Sequence, residues 1–213
     1  MNLNKKRVLI TAGPTWVAID SVRVISNIAS GETGILLAKK FLLAGARPTL
    51  LLGPGQVCCL DKKINLKRFR YFDELNNSIQ RELRSKKYAV VIHAAAVSDY
   101  RPKTSLRTKV GSGIKLWKLN LVPTPKIIEL IKKNDPRIFL VGFKYEPRVK
   151  KERMLSQAKK LLKPSGADLV VANTVQQGRY QAYILDREKV YARAASKKSL
   201  ANKLVKILAK IRG

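Results

Sequence analysis

The sequence predicts an α/β protein, a Rossmann-like three-layer domain with a mostly parallel central sheet and helices on both faces. Short apolar runs rich in β-branched residues alternate along the chain with segments of helical periodicity. The first two runs, residues 7–11 and 47–52, flank one such segment and form a β-loop-α-β unit. A chain of 213 residues suits one such domain, and we expect a single domain over residues 1–213.

The first unit is rich in glycine where its elements meet. The first predicted strand ends at Ala12-Gly13-Pro14, a break that neither a helix nor a central strand tolerates. The helix that follows the loop has Ser30 near its N-cap, with Gly31 beside it. A glycine-lined loop before an exposed helix N-terminus suits a phosphate group, so Gly13, Ser30 and Gly31 are predicted to bind an anion.

This unit departs from the dinucleotide-binding fingerprint. It has no GxGxxG, and the seventeen residues from Gly13 to Ala29 are too many for a tight phosphate turn. The second strand ends in Gly53, where an acidic residue would hold a ribose. The sequence therefore disfavours an NAD site.

The remaining elements follow from apolar periodicity and from turn residues. Residues 56–72 indicate a loop and a short edge strand, residues 103–113 a mobile loop or lid, and residues 114–122 a half-exposed strand. The other predictions are a helix over 74–86 capped by Asp73, a strand over 88–93, a helix over 126–133 with Pro125 in its first turn, a strand over 138–143, a helix over 152–162, a strand over 168–173, a hairpin of 180–185 and 188–192, and a helix over 197–211.

Positive charge dominates the composition, with 44 Lys and Arg against 14 Asp and Glu and a formal net charge of +30. A field of this sign attracts nucleic acid, anionic membranes or small polyanions such as nucleotides. The basic residues are scattered, without the interleaved aromatic residues of a single-strand-binding surface. We therefore expect a generically basic surface and no specific nucleic-acid site.

Other classes of protein are disfavoured by what the chain lacks. No apolar run approaches the roughly 20 residues needed to cross a bilayer, and the chain enters a strand almost at once, so we expect a cytoplasmic protein without a signal peptide. Cys58 and Cys59 are adjacent, a poor geometry for a disulfide or a metal site, and His93 is the only histidine. Structural zinc and a Ser-His-Asp triad are not expected.

The most specific motif is AAAVSDYRP, residues 94–102, directly after the third predicted strand. Open parallel sheets bind ligands at the carboxyl ends of their strands, and three alanines let a ligand approach the backbone closely. The motif is similar to the AAAV-x-D-(Y/F)-RP of the phosphopantothenoylcysteine synthetase (phosphopantothenate–cysteine ligase) family. Further stretches resemble that family in the same order, namely TAGPT with SNIASGETG, KVGSG, TPKII, VGF and DLVVAN.

The resemblance covers residues 7 to about 208 and implies roles for individual residues. Asn27 would contact the acyl-phosphate group and Lys109 the triphosphate, both as catalytic residues. Backbone groups around Ala95 and in the turn of residues 124–127 would read the base. The nucleotide-binding residues implied are Ala95, Asp99, Lys109, Thr124, Pro125, Lys126, Ile127, Phe143, Lys159 and Lys163, the last two standing for the family's pair of lysines if one residue is inserted in the turn.

Several of these residues also suit an ordinary structural role. Asn27 fits a turn or a helix cap, Asp99 a solvated loop and Phe143 the core, and Lys109 is one lysine among many. Their positions within the motifs favour the functional interpretation.

The activity implied by the resemblance is the ligation of 4′-phosphopantothenate to cysteine in coenzyme A biosynthesis, through an acyl-nucleotide intermediate. The motif pattern favours CTP as co-substrate, with ATP as the alternative, and the family requires Mg²⁺, whose protein ligands the sequence does not assign. Members are commonly homodimers, and Trp117 and Leu121 are candidate interface residues. Family members often carry a flavin-dependent decarboxylase domain ahead of this one, so the chain is expected to be a free-standing synthetase domain or a piece of a longer protein.

Two other classes stay open on the residues alone. The first is an NAD(P)-linked reductase or nucleotide-sugar enzyme on a Rossmann-like sheet, against which the missing acidic ribose ligand and the missing Tyr-x-x-x-Lys pair argue. The second is a basic nucleic-acid-binding protein, which the +30 charge would suit.

Overall fold

The computed structural model describes residues 1–55 and 60–211, and Cys58 and Cys59 lie outside the described residues. The elements, in chain order, are β1 (Arg7–Ala12), β2 (Trp16–Ala18), β3 (Val24–Ser26), α1 (Glu32–Leu43), β4 (Arg47–Leu52), β5 (Asn65–Arg68), α2 (Phe72–Ser85), β6 (Val90–His93), β7 (Tyr100–Pro102), β8 (Leu121–Pro123), α3 (Ile127–Asn134), β9 (Phe139–Tyr145), α4 (Lys151–Ser165), β10 (Leu169–Gln176), β11 (Arg179–Leu185), β12 (Val190–Ala194) and α5 (Lys197–Lys210).

Eight of the strands form one sheet in the order β12-β11-β10-β9-β6-β1-β4-β5. The pairs from β5 to β10 are parallel, whereas β11 and β12 are antiparallel to their neighbours. Helices α1 and α5 pack together over one face, and α2, α3 and α4 cover the other. The structure thus confirms the predicted three-layer fold with a mostly parallel sheet.

Burial on both faces explains why the central strands appear in the sequence as continuous apolar runs. In β1 and β4 every residue after the first is buried. Each helix instead buries one stripe, such as Leu200, Leu204 and Leu208 of α5, which are fully buried. Burying one such leucine contributes about 1.5–3 kcal/mol to folding. The edge strand β5 is the exception, since all four of its residues are exposed.

Three predicted helix ends are wrong. Tyr71 caps α2, so Asp73 lies in the first turn. Helix α3 begins at Ile127 with Lys126 as its cap, which places Pro125 before the helix. Helix α4 continues through Pro164 to Ser165, whose hydroxyl donates to the Leu161 carbonyl at 2.6 Å and so partners one of the last carbonyls of the helix.

The strand predicted over residues 114–122 is also wrong for most of its length. Only the segment from Leu121 is extended, and it pairs with β7 as a separate two-stranded ribbon. Ile114 and Leu116 are more than half exposed, so the alternating pattern has no sheet face to bury. A second small hairpin, β2 with β3, was not predicted.

Within the described residues, no helix is both long and apolar enough to span a membrane.

Candidate functional site

Three turns meet at the carboxyl edge of the sheet, after β1, before α1 and after β4. Gly13 and Gly31 have φ values of 79° and 76°, in the left-handed region that favours glycine. A Cβ at Gly13 would lie 3.1 Å from the Gly53 nitrogen, and one at Gly31 would lie 2.7 Å from Cδ1 of Leu52. The turns therefore pack backbone against backbone beside the N-terminus of α1, where the cap residue is Gly31 and Ser30 precedes it.

Asn27 joins the loop before α1 to the alanine segment after β6. Its Nδ2 donates to the carbonyl oxygens of Ala96 at 3.1 Å and Val97 at 3.0 Å. The Ala96 N–H in turn donates to the Gly13 carbonyl at 2.9 Å. Asn27 nonetheless remains exposed, so the residue that ties these loops together also faces the space above them.

A group of hydroxyls supports the same segment from below. The Ser98 N–H donates to Oγ1 of Thr15 at 2.9 Å, and the Thr124 hydroxyl donates to the Ser98 carbonyl at 2.5 Å. All three residues are buried. Sequence reasoning missed Thr15 and Ser98, although both lie inside the quoted motifs. A buried hydroxyl that accepts a backbone N–H holds a loop in place, since leaving that group unpaired costs about 1–3 kcal/mol.

The structure brings Asp99 together with the turn of residues 124–127. The Thr124 N–H donates to the Asp99 carbonyl at 2.9 Å, and the Lys126 ammonium pairs with the Asp99 carboxylate. Both charged side chains are more than half exposed, so this ion pair is open to a ligand and of small value to stability. The Ile127 side chain is in the core, which leaves only its backbone to face a ligand.

Phe143 and the two lysines of α4 have different surroundings. Phe143 is half-buried near the carboxyl end of β9 and packs against the core beneath α1 and α5. Lys159 and Lys163 line a surface cavity of about 750 Å³ together with Glu188 and Lys189. Those last two residues belong to the β11–β12 turn at the amino edge of the parallel strands. The structure therefore does not bring Lys159 and Lys163 together with the other predicted site residues.

Lys109 lies on the long loop between β7 and β8, which has no helix or strand. The loop was predicted only for residues 103–113. The loop is nevertheless attached: the N–H of Val110 donates to Oδ2 of Asp20 at 3.1 Å, at the turn of the β2–β3 hairpin. Asn27 follows the open end of the same hairpin, so the hairpin's length separates it from Lys109. Lys109 itself is exposed.

His93 ends β6 beneath the alanine segment and is buried. Oγ1 of Thr11 lies 3.0 Å from Nδ1 of His93 and also accepts the Ala95 N–H at 3.3 Å. The Thr11 hydroxyl can donate its proton to Nδ1, and the neutral ring then carries its single N–H proton on Nε2. Burial lowers the pKa of His93 to about 4, so the ring is neutral at pH 7.

We expect His93 to make the protein acid-sensitive. The unfolded chain takes up a proton near pH 6.5, whereas the folded chain does so only near pH 4. Stability is therefore full above pH 6.5 and falls as the pH drops toward 4, by about 3 kcal/mol in total. His93→Gln removes this titration while keeping an acceptor for Thr11. Guanidinium unfolding of both proteins at pH 7.5 and pH 4.5 should show a smaller loss in the variant, and equal losses would contradict the assignment.

The model of the DNA/pantothenate metabolism flavoprotein C-terminal domain family matches residues 3–211 of the chain. The chain belongs to this family. The match confirms the resemblance to synthetases that the motifs indicated.

Individual members of the DNA/pantothenate metabolism flavoprotein family agree with this assignment. The chain is 42% identical over 176 residues to the coenzyme A biosynthesis bifunctional protein CoaBC of Thermococcus kodakarensis, a match that covers 82% of this chain and 43% of that protein. This chain thus spans less than half the length of that relative.

Solved structures show the same fold. The DNA/pantothenate metabolism flavoprotein of Streptococcus pneumoniae superposes with a TM-score of 0.85 at 26% identity, covering 95% of this chain and 98% of that one. A variant of Cab2 in complex with phosphopantothenate-cysteine gives a TM-score of 0.80 at 20% identity, covering 95% and 85%. Because its sequence identity to this chain is only 20%, the similarity to the Cab2 variant shows the fold alone.

Proposed function

We propose that the chain is a phosphopantothenate–cysteine ligase that acts through an acyl-nucleotide formed from CTP. The observation that carries the proposal is the pair of hydrogen bonds from Asn27 to Ala96 and Val97, because it joins the two most specific motifs at one edge of the sheet. The Gly13 turn is joined to this junction by the hydrogen bond from the Ala96 N–H, and the Asp99–Lys126 pair begins two residues after Val97. A bound pantothenate derivative and a nucleotide could therefore meet there.

The reaction would have two steps. In the first, a carboxylate oxygen of 4′-phosphopantothenate forms a bond to the α-phosphorus of the nucleotide, and pyrophosphate leaves. In the second, the cysteine amine attacks the acyl carbon, the bond to the nucleotide phosphate breaks, CMP leaves and the amine loses a proton. Crowded negative charge opposes the first step, so the site must supply cations and oriented N–H donors.

The residues of this chain would divide that work. The turn at Gly13 and the N-terminus of α1 at Gly31 would offer backbone N–H groups to phosphate oxygens. Asn27 would hold the acyl-phosphate group, and Lys109 would neutralise the triphosphate. Because a triphosphate is an extended group, these two residues need not touch the same phosphate.

The base would lie over the alanine segment and the turn of residues 124–127. Backbone carbonyl groups around Ala95 and Pro125 would read the base by hydrogen bonds, since Pro125 has no N–H and the Ala95 N–H already donates to Thr11. Phe143 is half-buried near the same edge. The motif pattern favours CTP over ATP.

Mg²⁺ would arrive with the nucleotide. Across residues 1–55 and 60–211 there is no group of three or more His, Cys, Asp or Glu side chains able to hold a metal ion. Asp99 provides a carboxylate in the candidate site, and one carboxylate with phosphates and water is a usual environment for Mg²⁺. The ion would neutralise phosphate charge when bound.

We further propose a homodimer and a generically basic surface. Leu121 is about half exposed on the β7–β8 ribbon and stays a candidate interface residue, whereas the Trp117 ring already lies 5.2 Å from the Arg23 guanidinium carbon. The +30 charge is expected to give only weak nucleic-acid binding that is lost as salt rises toward roughly 200 mM.

Pyrophosphate release tests the proposal. With 4′-phosphopantothenate, cysteine and Mg²⁺ present, we expect release with CTP and markedly less with ATP. No release with either nucleotide would overturn the ligase assignment, and equal release would overturn only the choice of base. A thermal-shift panel separates the rivals, since CTP with Mg²⁺ should stabilise a ligase, NADPH a reductase and an oligonucleotide a nucleic-acid-binding protein.

A further inference from the structure

The turn of the β2–β3 hairpin contains a carboxylate that is buried although the hairpin itself lies at the surface. The Asp20 residue is only 4% exposed. Its Oδ1 accepts the N–H groups of Val22 at 2.9 Å and Arg23 at 2.8 Å, which closes the turn. Its Oδ2 receives the Arg23 guanidinium at 2.5 Å and the Val110 N–H at 3.1 Å. The two hydrogen bonds to Oδ1 are enough to close the turn, so the hydrogen bond from the Val110 N–H connects the turn to a different segment of the chain.

The contact with Val110 is one of four between the hairpin turn and the loop that carries Lys109. Arg23 donates to the Val110 carbonyl at 3.2 Å, so Val110 is held at both its N–H and its C=O. The Arg23 guanidinium carbon also lies 5.2 Å from the centre of the Trp117 ring, further along the same loop. The Leu106 N–H donates to the Ile19 carbonyl at 3.0 Å. The predicted lid is therefore docked on both sides of Lys109.

The negative charge of Asp20 strengthens the hydrogen bonds that hold the loop of Lys109 to the hairpin turn. Burial raises the pKa of Asp20, but the three backbone N–H groups and the Arg23 guanidinium outweigh burial and hold the pKa at about 2. The carboxylate therefore stays ionised at any pH at which the enzyme would work. Hydrogen bonds to a charged acceptor are roughly twice as strong as neutral ones.

We propose that Asp20 is a positioning residue for Lys109. It fixes Val110, the next residue along the chain, and so holds the Lys109 ammonium in one region before a nucleotide binds. The inference rests on the proposed function for what Lys109 contacts, but the docking of the loop does not depend on it. Without Asp20 the loop would keep fewer contacts with the hairpin turn, and the nucleotide would have to supply more of its order, which costs affinity.

Hydrogen exchange tests the docking without any assay of activity. In Asp20→Asn we expect the Val110 amide to exchange at least tenfold faster and trypsin to cleave faster after Arg107 and Lys109. Asp186→Asn is the matched control, because Asp186 accepts the N–H groups of Glu188 and Lys189 at 2.8 Å within its own turn. Unchanged exchange in Asp20→Asn, at an unchanged melting temperature, would overturn the docking.

Kinetics then test the positioning. We expect Asp20→Asn to raise the KM for the nucleotide about tenfold in pyrophosphate release. Adding Asp20→Asn to Lys109→Gln should not raise the KM further, because both changes remove the same contribution of the Lys109 ammonium to nucleotide binding. Additive losses, or a faster reaction in Asp20→Asn, would overturn the inference. An inactive wild-type protein would contradict the proposed function and leave the exchange result standing. If Asp20→Asn does not fold, Val110→Pro removes the same N–H donor from the other side.

Discussion

Lys109→Gln is expected to release pyrophosphate about a hundredfold more slowly than the wild type in the first half-reaction, measured without cysteine. The charge that builds up when a carboxylate meets the α-phosphate is negative, and Lys109 would supply a cation from a loop that is already docked. Losing one preorganised stabilising group typically costs about 3 kcal/mol in the transition state. Because Lys109 is exposed, the melting temperature of the free protein should not change.

The matched control is Lys115→Gln, which removes the same charge from the same loop at another exposed position. Lys67 would be a poor control, since its ammonium lies 2.5 Å from the buried carboxylate of Glu82. Replacing Lys67 would leave that carboxylate with fewer partners and would disturb stability. If Lys109→Gln and Lys115→Gln release pyrophosphate at the same rate as each other, Lys109 is one more lysine of a basic surface.

Asn27→Asp is expected to lower ligation a hundredfold or more. The amide nitrogen of Asn27 donates to two carbonyl oxygens, whereas an ionised carboxylate can donate to neither and is repelled by both. The loop before α1 would then move away from the alanine segment, and the group proposed to hold the acyl-phosphate would be lost with it. Steady-state formation of phosphopantothenoylcysteine, at saturating CTP, measures the effect.

Asn134→Asp controls for the chemical change itself. The Asn134 amide also donates to a carbonyl, that of Leu130 at 2.8 Å, but it lies at the C-terminal end of α3, on the surface. That variant should stay active. A fully active Asn27→Asp would show that the two hydrogen bonds serve only to close a turn.

The sheet could be predicted from the sequence because its central strands are buried on both faces. A strand of this kind leaves an uninterrupted apolar run, and the run over residues 47–52 coincides with β4. Helix ends were less predictable, because α2 begins after Tyr71, whose ring lies 6.1 Å from that of Trp16, and not after the better capping residue Asp73. The ribbons formed by β2, β3, β7 and β8 leave no run at all, since each strand has three residues.

In the candidate site, too, some residues could be assigned from the sequence and others could not. Asp99, Thr124 and Lys126 could be assigned to one site because the motifs that contain them resemble those of one family, and in the structure Asp99 contacts both of the other residues. The role of Asp20 could not be predicted, because its partner Val110 is 90 residues away and lies on a loop without periodicity. Spacing alone was also misleading for Lys159 and Lys163, since four residues on a helix fix a face but not the edge of the sheet toward which they lie.

The exposed edge strand β5 bears on whether the protein aggregates at high concentration. An unpaired strand edge is a template on which another chain can add a strand, and this is a common start of aggregation. Lys67 and Arg68 occupy half of the four-residue strand. The Lys67 ammonium is paired with Glu82, so Arg68 is the charge that would repel the same strand of a second copy. At the opposite side of the sheet, β12 carries Arg193 and packs against α5. We therefore expect the basic residues at the two sheet edges to oppose edge-to-edge polymerisation, a role that needs no ligand.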